Sequence, residues 1–141
     1  MQTKATGTYL ISVRPMWASA FFLSHNPKTI ELRKGNFGAS LKSGDSIVIY
    51  ATMPVAEILG IVRVVQREIL PIDRLWRESK QGKLARVSRA QFDDYYANQP
   101  SGVGVWVGGI ELLLSSDRTL PTSPELGPSL ATTAANSAIE R

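Results

Sequence analysis

The residues best suited to chemistry lie in "HNPKTIELRKG", residues 25–35, where Lys28, Glu31 and Arg33 set an acid between two bases. With the two-residue period of a strand, Thr29, Glu31 and Arg33 share one face, and Ile30 and Leu32 the other. An ionised Glu31 can accept from an amino group, while Lys28 or Arg33 holds a phosphate, carboxylate or carbonyl oxygen. The plainer reading is a solvated strand face with a surface ion pair worth ~0–1 kcal/mol. Two neighbouring cations keep Glu31 ionised. Such a carboxylate is a good acceptor, but it needs activation from elsewhere to drive catalysis.

Other residues can assist. Arg14 precedes Pro15 at the end of a strand, so it is either a solvated strand end or a phosphate contact beside a helix N-terminus. Tyr50 and Trp106 lie near strand ends, where an aromatic ring can stack a base. Arg74, Arg77, Lys80, Lys83, Arg86 and Arg89 recur every three residues. On one unbroken helix that spacing winds around the axis and makes no stripe. The series reads as a solvated helix pair or as a diffuse phosphate-binding edge.

Several chemistries find no support. The chain has no cysteine, which removes disulfides, thiolate zinc sites and a cysteine nucleophile. His25 is the single histidine and the acids are scattered, so neither a metal site nor a Ser-His-Asp triad is expected. "GVGVWVGG" has the wrong spacing for a dinucleotide fingerprint and no helix follows it; no phosphate-loop sequence occurs and no cofactor is expected.

The elements that would position these groups can be read in order. "TYLISVR" is a β-branched and aromatic strand, and "PMWASAFFLSHN" a helix opened by Pro15 and ended before Pro27. "KTIELRK" is a second strand, "SIVIYATM" a central third and "AEILGIVRVVQREIL" a long fourth. Gly60 inside the fourth marks a bulge or a close backbone approach. "PIDRLWRESK" and "SRAQFDDYYANQ" are helices separated by a break at Gly82, the second with Ser88 and Gln91 at capping-box spacing. "GVGVWVGGIELLLSS" closes the domain as one strand, or two broken at Gly108-Gly109. The mixed order predicts an α+β, mainly β fold: a small barrel or strongly curved sheet of five to six strands with two to three flanking helices.

At 141 residues, this is one domain over 1–118 with a Pro- and Ser-containing tail, 119–141, expected to be disordered. The net charge is +4; the tail holds Glu125, Glu140 and Arg141, so the body carries +5. That charge modestly favours an anionic partner. No apolar h-region follows Met1 and no run reaches the ~18 apolar residues of a membrane helix. The expectation is a soluble, cytoplasmic protein with no membrane or metal partner; oligomeric state is not legible.

Taken together, "SVRPMWASAFFLSHNPKTIELRKG" resembles the opening of ASCH domains, a branch of the PUA-like superfamily. Ser12, Val13, Arg14 and Pro15 match that pattern's strand end. Lys28, Glu31 and Arg33 match its Gly-x-Lys-x-x-Glu-x-Arg motif, with Asn26 replacing the glycine. "GDSIVIYATMPVAEILGIVRVVQ" is similar to the next segment, whose strand ends Tyr-Ala-Ser/Thr-x-Pro, here Tyr50 to Pro54. The resemblance runs over about residues 8–114. It implies a PUA-like β-barrel with a cleft for RNA or a nucleotide, and a binding set of Ser12, Arg14, Lys28, Thr29, Glu31, Arg33, Tyr50 and Thr52. An amidohydrolase branch keeps a lysine matching Lys28 but has threonine where this chain has Glu31. The leading expectation is therefore a nucleic-acid- or nucleotide-binding module. The alternative is a hydrolase of a modified nucleoside or RNA, with Lys28 and Glu31 at its centre.

Overall fold

The five apolar runs become five strands of one sheet in the computed structural model, which describes residues 7–112. They are β1 (Thr8–Val13), β2 (Ile30–Arg33), β3 (Ser46–Ala51), β4 (Glu57–Pro71) and β5 (Ser101–Leu112). Their order is β1-β3-β4-β5-β2. Only β1 and β3 run parallel; the other neighbours are antiparallel. Three helices flank the sheet: α1 (Pro15–Ala20), α2 (Ile72–Glu78) and α3 (Arg89–Tyr95). This is the mixed, mainly β, α+β architecture that the pattern predicts.

The sheet curls into a half-barrel. Register shifts interrupt the β4–β5 ladder between Ile61 and Arg63 and between Val64 and Gln66, and bulges of this kind bend a strand and increase its twist. The curl brings the two edge strands, β1 and β2, close enough for the Arg33 guanidinium (Nη2) to donate to the Ser12 carbonyl at 3.4 Å. Gly60 serves as expected. A Cβ there would lie 2.5 Å from the Glu111 carbonyl oxygen and 2.6 Å from the Phe22 ring, and the β3–β4 register shifts beside it. The closing strand is single and continues through Gly108-Gly109.

Two elements differ from their sequence-based expectation. The first helix stops at Ala20 rather than near Asn26. The Lys28 N–H takes the Ala20 carbonyl at 2.8 Å, and Phe21 and Phe22 close three-residue turns on Ala18 and Ser19. The chain therefore turns early toward β2. A 3-10 turn at Lys83–Ala85 also forms beyond Gly82, which has φ 81°. Helix α3 carries the full reciprocal capping box between Ser88 and Gln91.

Two apolar clusters fill the interior. One joins β1, β3, β4 and β5 through residues such as Val13, Ile49, Val62 and Val105. The other joins β2 to the helical segment through Ile30, Leu32, Leu75, Phe92 and Tyr96. No helix among the described residues is long and apolar enough to cross a membrane. The expected tail, 119–141, lies outside the described residues.

Candidate functional site

The solvated-face reading of β2 does not hold: all four of its residues are buried. The segment after α2 covers the strand's outer edge. Thr29 N–H donates to the Leu84 carbonyl at 2.8 Å, and the Tyr96 hydroxyl donates to the Arg33 carbonyl at 2.9 Å. A two-residue alternation cannot reveal a second layer that arrives some fifty residues later in the chain.

Burial changes the chemistry of the motif. Lys28, Glu31 and Arg33 are 3%, 1% and 0% exposed, so the three charges form an interior cluster. The Lys28 ammonium lies 2.9 Å from Glu31 Oε1, and Arg33 Nε lies 2.5 Å from Glu31 Oε2. Oε2 accepts an aligned hydrogen bond from Arg33. Oε1 has no aligned donor, so charge attraction rather than a directed bond holds Lys28 against it. The ammonium also sits 5.3 Å from the Trp17 ring centroid and 4.9 Å from that of Phe21. The Arg33 guanidinium lies over Phe37 at 4.5 Å.

The cluster holds two cations and one anion. Burial alone would raise the Glu31 carboxyl, but the Arg33 and Lys28 charges overcome it and hold Glu31 below the usual carboxylate range. Lys28 moves down from the ordinary lysine value, chiefly because burial disfavours its charge. Glu31 raises it in part and Arg33 opposes. The asymmetry follows from the count: Glu31 has two counter-ions, while Lys28 shares one. Burial likewise pushes the Tyr96 phenol up.

Lys28 opens onto a cavity of about 220 Å³ between α1 and α3. Arg14, Met16 and Trp17 line one side; Gln91, Phe92, Asp94, Tyr95 and Tyr96 line the other. Leu32, Ala85 and Val87 complete it. The walls are aromatic and aliphatic, with two cations, one carboxylate and one amide among them. This is the usual composition of a small-ligand site: apolar walls with a few polar groups that fix orientation.

Of the eight residues expected to bind, the cavity brings together Arg14 and Lys28. Glu31 and Arg33 lie behind Lys28, engaged with it, with each other and with Ser12. Ser12 is buried and supplies the carbonyl that Arg33 bonds. Thr29 is half-buried and its carbonyl accepts from Val107 N–H, outside the lining. Tyr50 and Thr52 sit at the far end of β3, where the Thr52 N–H bonds the Val13 carbonyl; neither lines the cavity. Glu31 and Arg33, expected as a direct acceptor and a phosphate holder, are not among the residues that line the cavity. The lining that sequence reasoning missed comes mainly from α3. Its signal was present in the capping box and in the Tyr95-Tyr96 pair, which reads equally well as core.

Among the described residues, no group of three or more His, Asp or Glu could hold a metal ion. Of the basic series, Arg74 pairs with Glu78 at 3.7 Å and Arg89 with Asp93 at 3.1 Å.

With the curled sheet, the α1 entry and the buried Lys-x-x-Glu-x-Arg cluster in place, the fold is that of an ASCH domain. The crystal structure of ASCH from Zymomonas mobilis aligns with a TM-score of 0.65 at 24% identity, over 73% of this chain and 68% of that one. A point mutant of the same protein aligns with a TM-score of 0.64 at 26% identity, over 73% and 68% of the two chains. An Enterococcus faecalis protein aligns with a TM-score of 0.58 at 10% identity, over 83% of each chain. No protein-family model and no curated protein matches the sequence.

Proposed function

We propose that this chain is a binding module for a nucleotide or a single-stranded RNA segment, with one base and part of its sugar in the cavity between α1 and α3. The observation that carries this reading is Lys28: a buried cation, incompletely neutralised by its cluster, opening onto a space with aromatic walls. Such a group favours an electron-rich oxygen, because a ligand phosphate or carbonyl offsets charge that Glu31 alone does not. Trp17, Phe92 and Tyr95 offer faces or edges to a base, and the Gln91 amide both donates and accepts toward a base edge. Arg14 at the cavity's rim suits a phosphate. Glu31 and Arg33 act as positioning residues that fix the ammonium. Solved ASCH structures sharing this fold support the reading at the level of the family.

The hydrolase alternative draws on the lowered Lys28, which suits a general base. It lacks the hydroxyl that the amidohydrolase branch keeps: no serine or threonine is among the lining residues, and Thr29 lies outside them. Binding is therefore the better supported function. Titration of nucleoside monophosphates into parent and Lys28→Met protein tests it. We expect Lys28→Met, with its similar length, to lose at least tenfold in affinity, about 1.4 kcal/mol. Equal affinity in a variant whose circular dichroism is unchanged rejects the site. Release of a modified group from an acylated nucleoside, abolished by the same substitution, would establish the enzyme instead.

A further inference from the structure

We infer that the loop from Lys80 to Val87 is a preformed phosphate subsite that carries the backbone of a single-stranded nucleic acid away from the cavity; this rests on the binding function proposed above. A second, shallow depression of about 750 Å³ lies beside the cavity, and Val87 lines both. Its lining is Asn26, Pro27 and residues 80–84, 86 and 87, which include Lys80, Lys83 and Arg86 and no acidic residue. Elsewhere in the basic series, Arg74 and Arg89 are paired with carboxylates. Among the described residues, no carboxylate pairs with these three cations. The depression is therefore a local concentration of positive charge.

The loop is also built to hold its shape. Lys80, Gln81 and Gly82 take positive φ in succession, and Arg86 does so as well. For non-glycine residues this conformation is costly and persists only where the surroundings over-determine it. Here they do. Fully buried Ser79 accepts the Gly82 N–H on its hydroxyl at 3.0 Å, and the Val87 N–H returns to the Gly82 carbonyl. Arg86 Nη1 donates to the Asn26 carbonyl at 2.8 Å, while Thr29 N–H holds Leu84. The last two bonds tie the loop to the segment that carries Lys28. A rigid loop of cations is thus fixed in register with the buried ammonium.

The size of the cavity points the same way. Ordinary small-ligand sites run to ~300–1,000 Å³, so about 220 Å³ accommodates a base and part of its sugar and leaves flanking phosphates outside. Those phosphates meet the depression next to Val87. A strand of several nucleotides gains from both features, whereas a mononucleotide uses the cavity alone.

The test compares uridine monophosphate with a labelled oligouridylate, by anisotropy over a range of salt. The proteins are the parent, Lys80→Gln/Lys83→Gln, and Lys80→Arg/Lys83→Arg. Arg86 is left intact because it braces the loop. The inference expects the parent to bind the oligomer at least tenfold more tightly than the monomer. The Gln pair should lose most of that gain, keep its monomer affinity, and flatten the log–log salt slope by about 1.4 for two lost contacts; the Arg pair should restore both. An oligomer no tighter than the monomer, or a Gln pair that binds it like the parent, overturns the phosphate subsite while leaving the cavity standing. A parent that binds the oligomer through Lys80 and Lys83 but is indifferent to Lys28→Met overturns the cavity reading and supports this one.

Discussion

Replacing Glu31 by glutamine is the most informative single change, because it removes the one anion between two buried cations. At an effective dielectric near 20, the 2.9 Å approach to Lys28 corresponds to about 6 kcal/mol of gross attraction, and the contact with Arg33 is of similar size. Most of this offsets the cost of stripping water from three charges. The loss on mutation is therefore set by what remains uncompensated. Lys28, with a pKa already lowered, can shed its proton; Arg33 cannot. Breaking a buried pair by removing one partner costs ~3–5 kcal/mol. For a domain of this size that lowers the midpoint of thermal unfolding by roughly 12–25 °C. Arg33 would also be less well aimed at the Ser12 carbonyl, loosening the seam between β1 and β2. Denaturant unfolding of Glu31→Gln, Lys28→Met and the double variant measures the coupling directly. The double variant should be less destabilised than the two single losses summed. A Glu31→Gln protein within about 1 kcal/mol of the parent would show that the cluster is not held by its charges, and would sink this account.

Three further outcomes follow from the same structure. Affinity for a phosphate-bearing ligand should fall as pH rises through the lowered Lys28 value, with a midpoint below the ordinary ~10.4 of lysine; a pH series of binding isotherms with no such fall removes Lys28 from the contact. Glu31 is depressed in the folded state, so its contribution to stability is present above its unfolded value of ~4.3 and is lost as pH drops through its folded value. Denaturant midpoints that do not decline on acidification, or decline equally in Glu31→Gln, contradict that assignment. Gly60→Ala should cost ~1–3 kcal/mol, because the new Cβ meets the Glu111 carbonyl and the Phe22 ring; a variant as stable as the parent means that the β4–β5 approach is looser than described.

Much of the fold was legible because its signals are local. β-branched runs at 8–14, 46–53 and 56–70 gave strands whose ends lie within one or two residues of those found. Pro15 opened α1, the Ser88–Gln91 pair capped α3, and Gly60 marked a close approach, each through backbone chemistry that needs no distant partner. The first helix was overextended because a tertiary hydrogen bond, Lys28 N–H to Ala20, ends it, and no residue nearby announces that bond.

The sequence by itself determined that an acid would lie between two bases within residues 28–33. It also determined the chain's basic character and its lack of thiolate chemistry. Whether those charges met water or the interior was decided only by tertiary structure. The curl of the sheet brought Ser12 to Arg33, and the segment from Ser79 to Tyr96 folded over β2 and closed its edge. That covering layer turned an apparent surface ion pair into a desolvated cluster and left Lys28 at the wall of a cavity. Charge in a low-dielectric interior depends on every element that excludes water from it, and those elements come from parts of the chain that no local pattern connects.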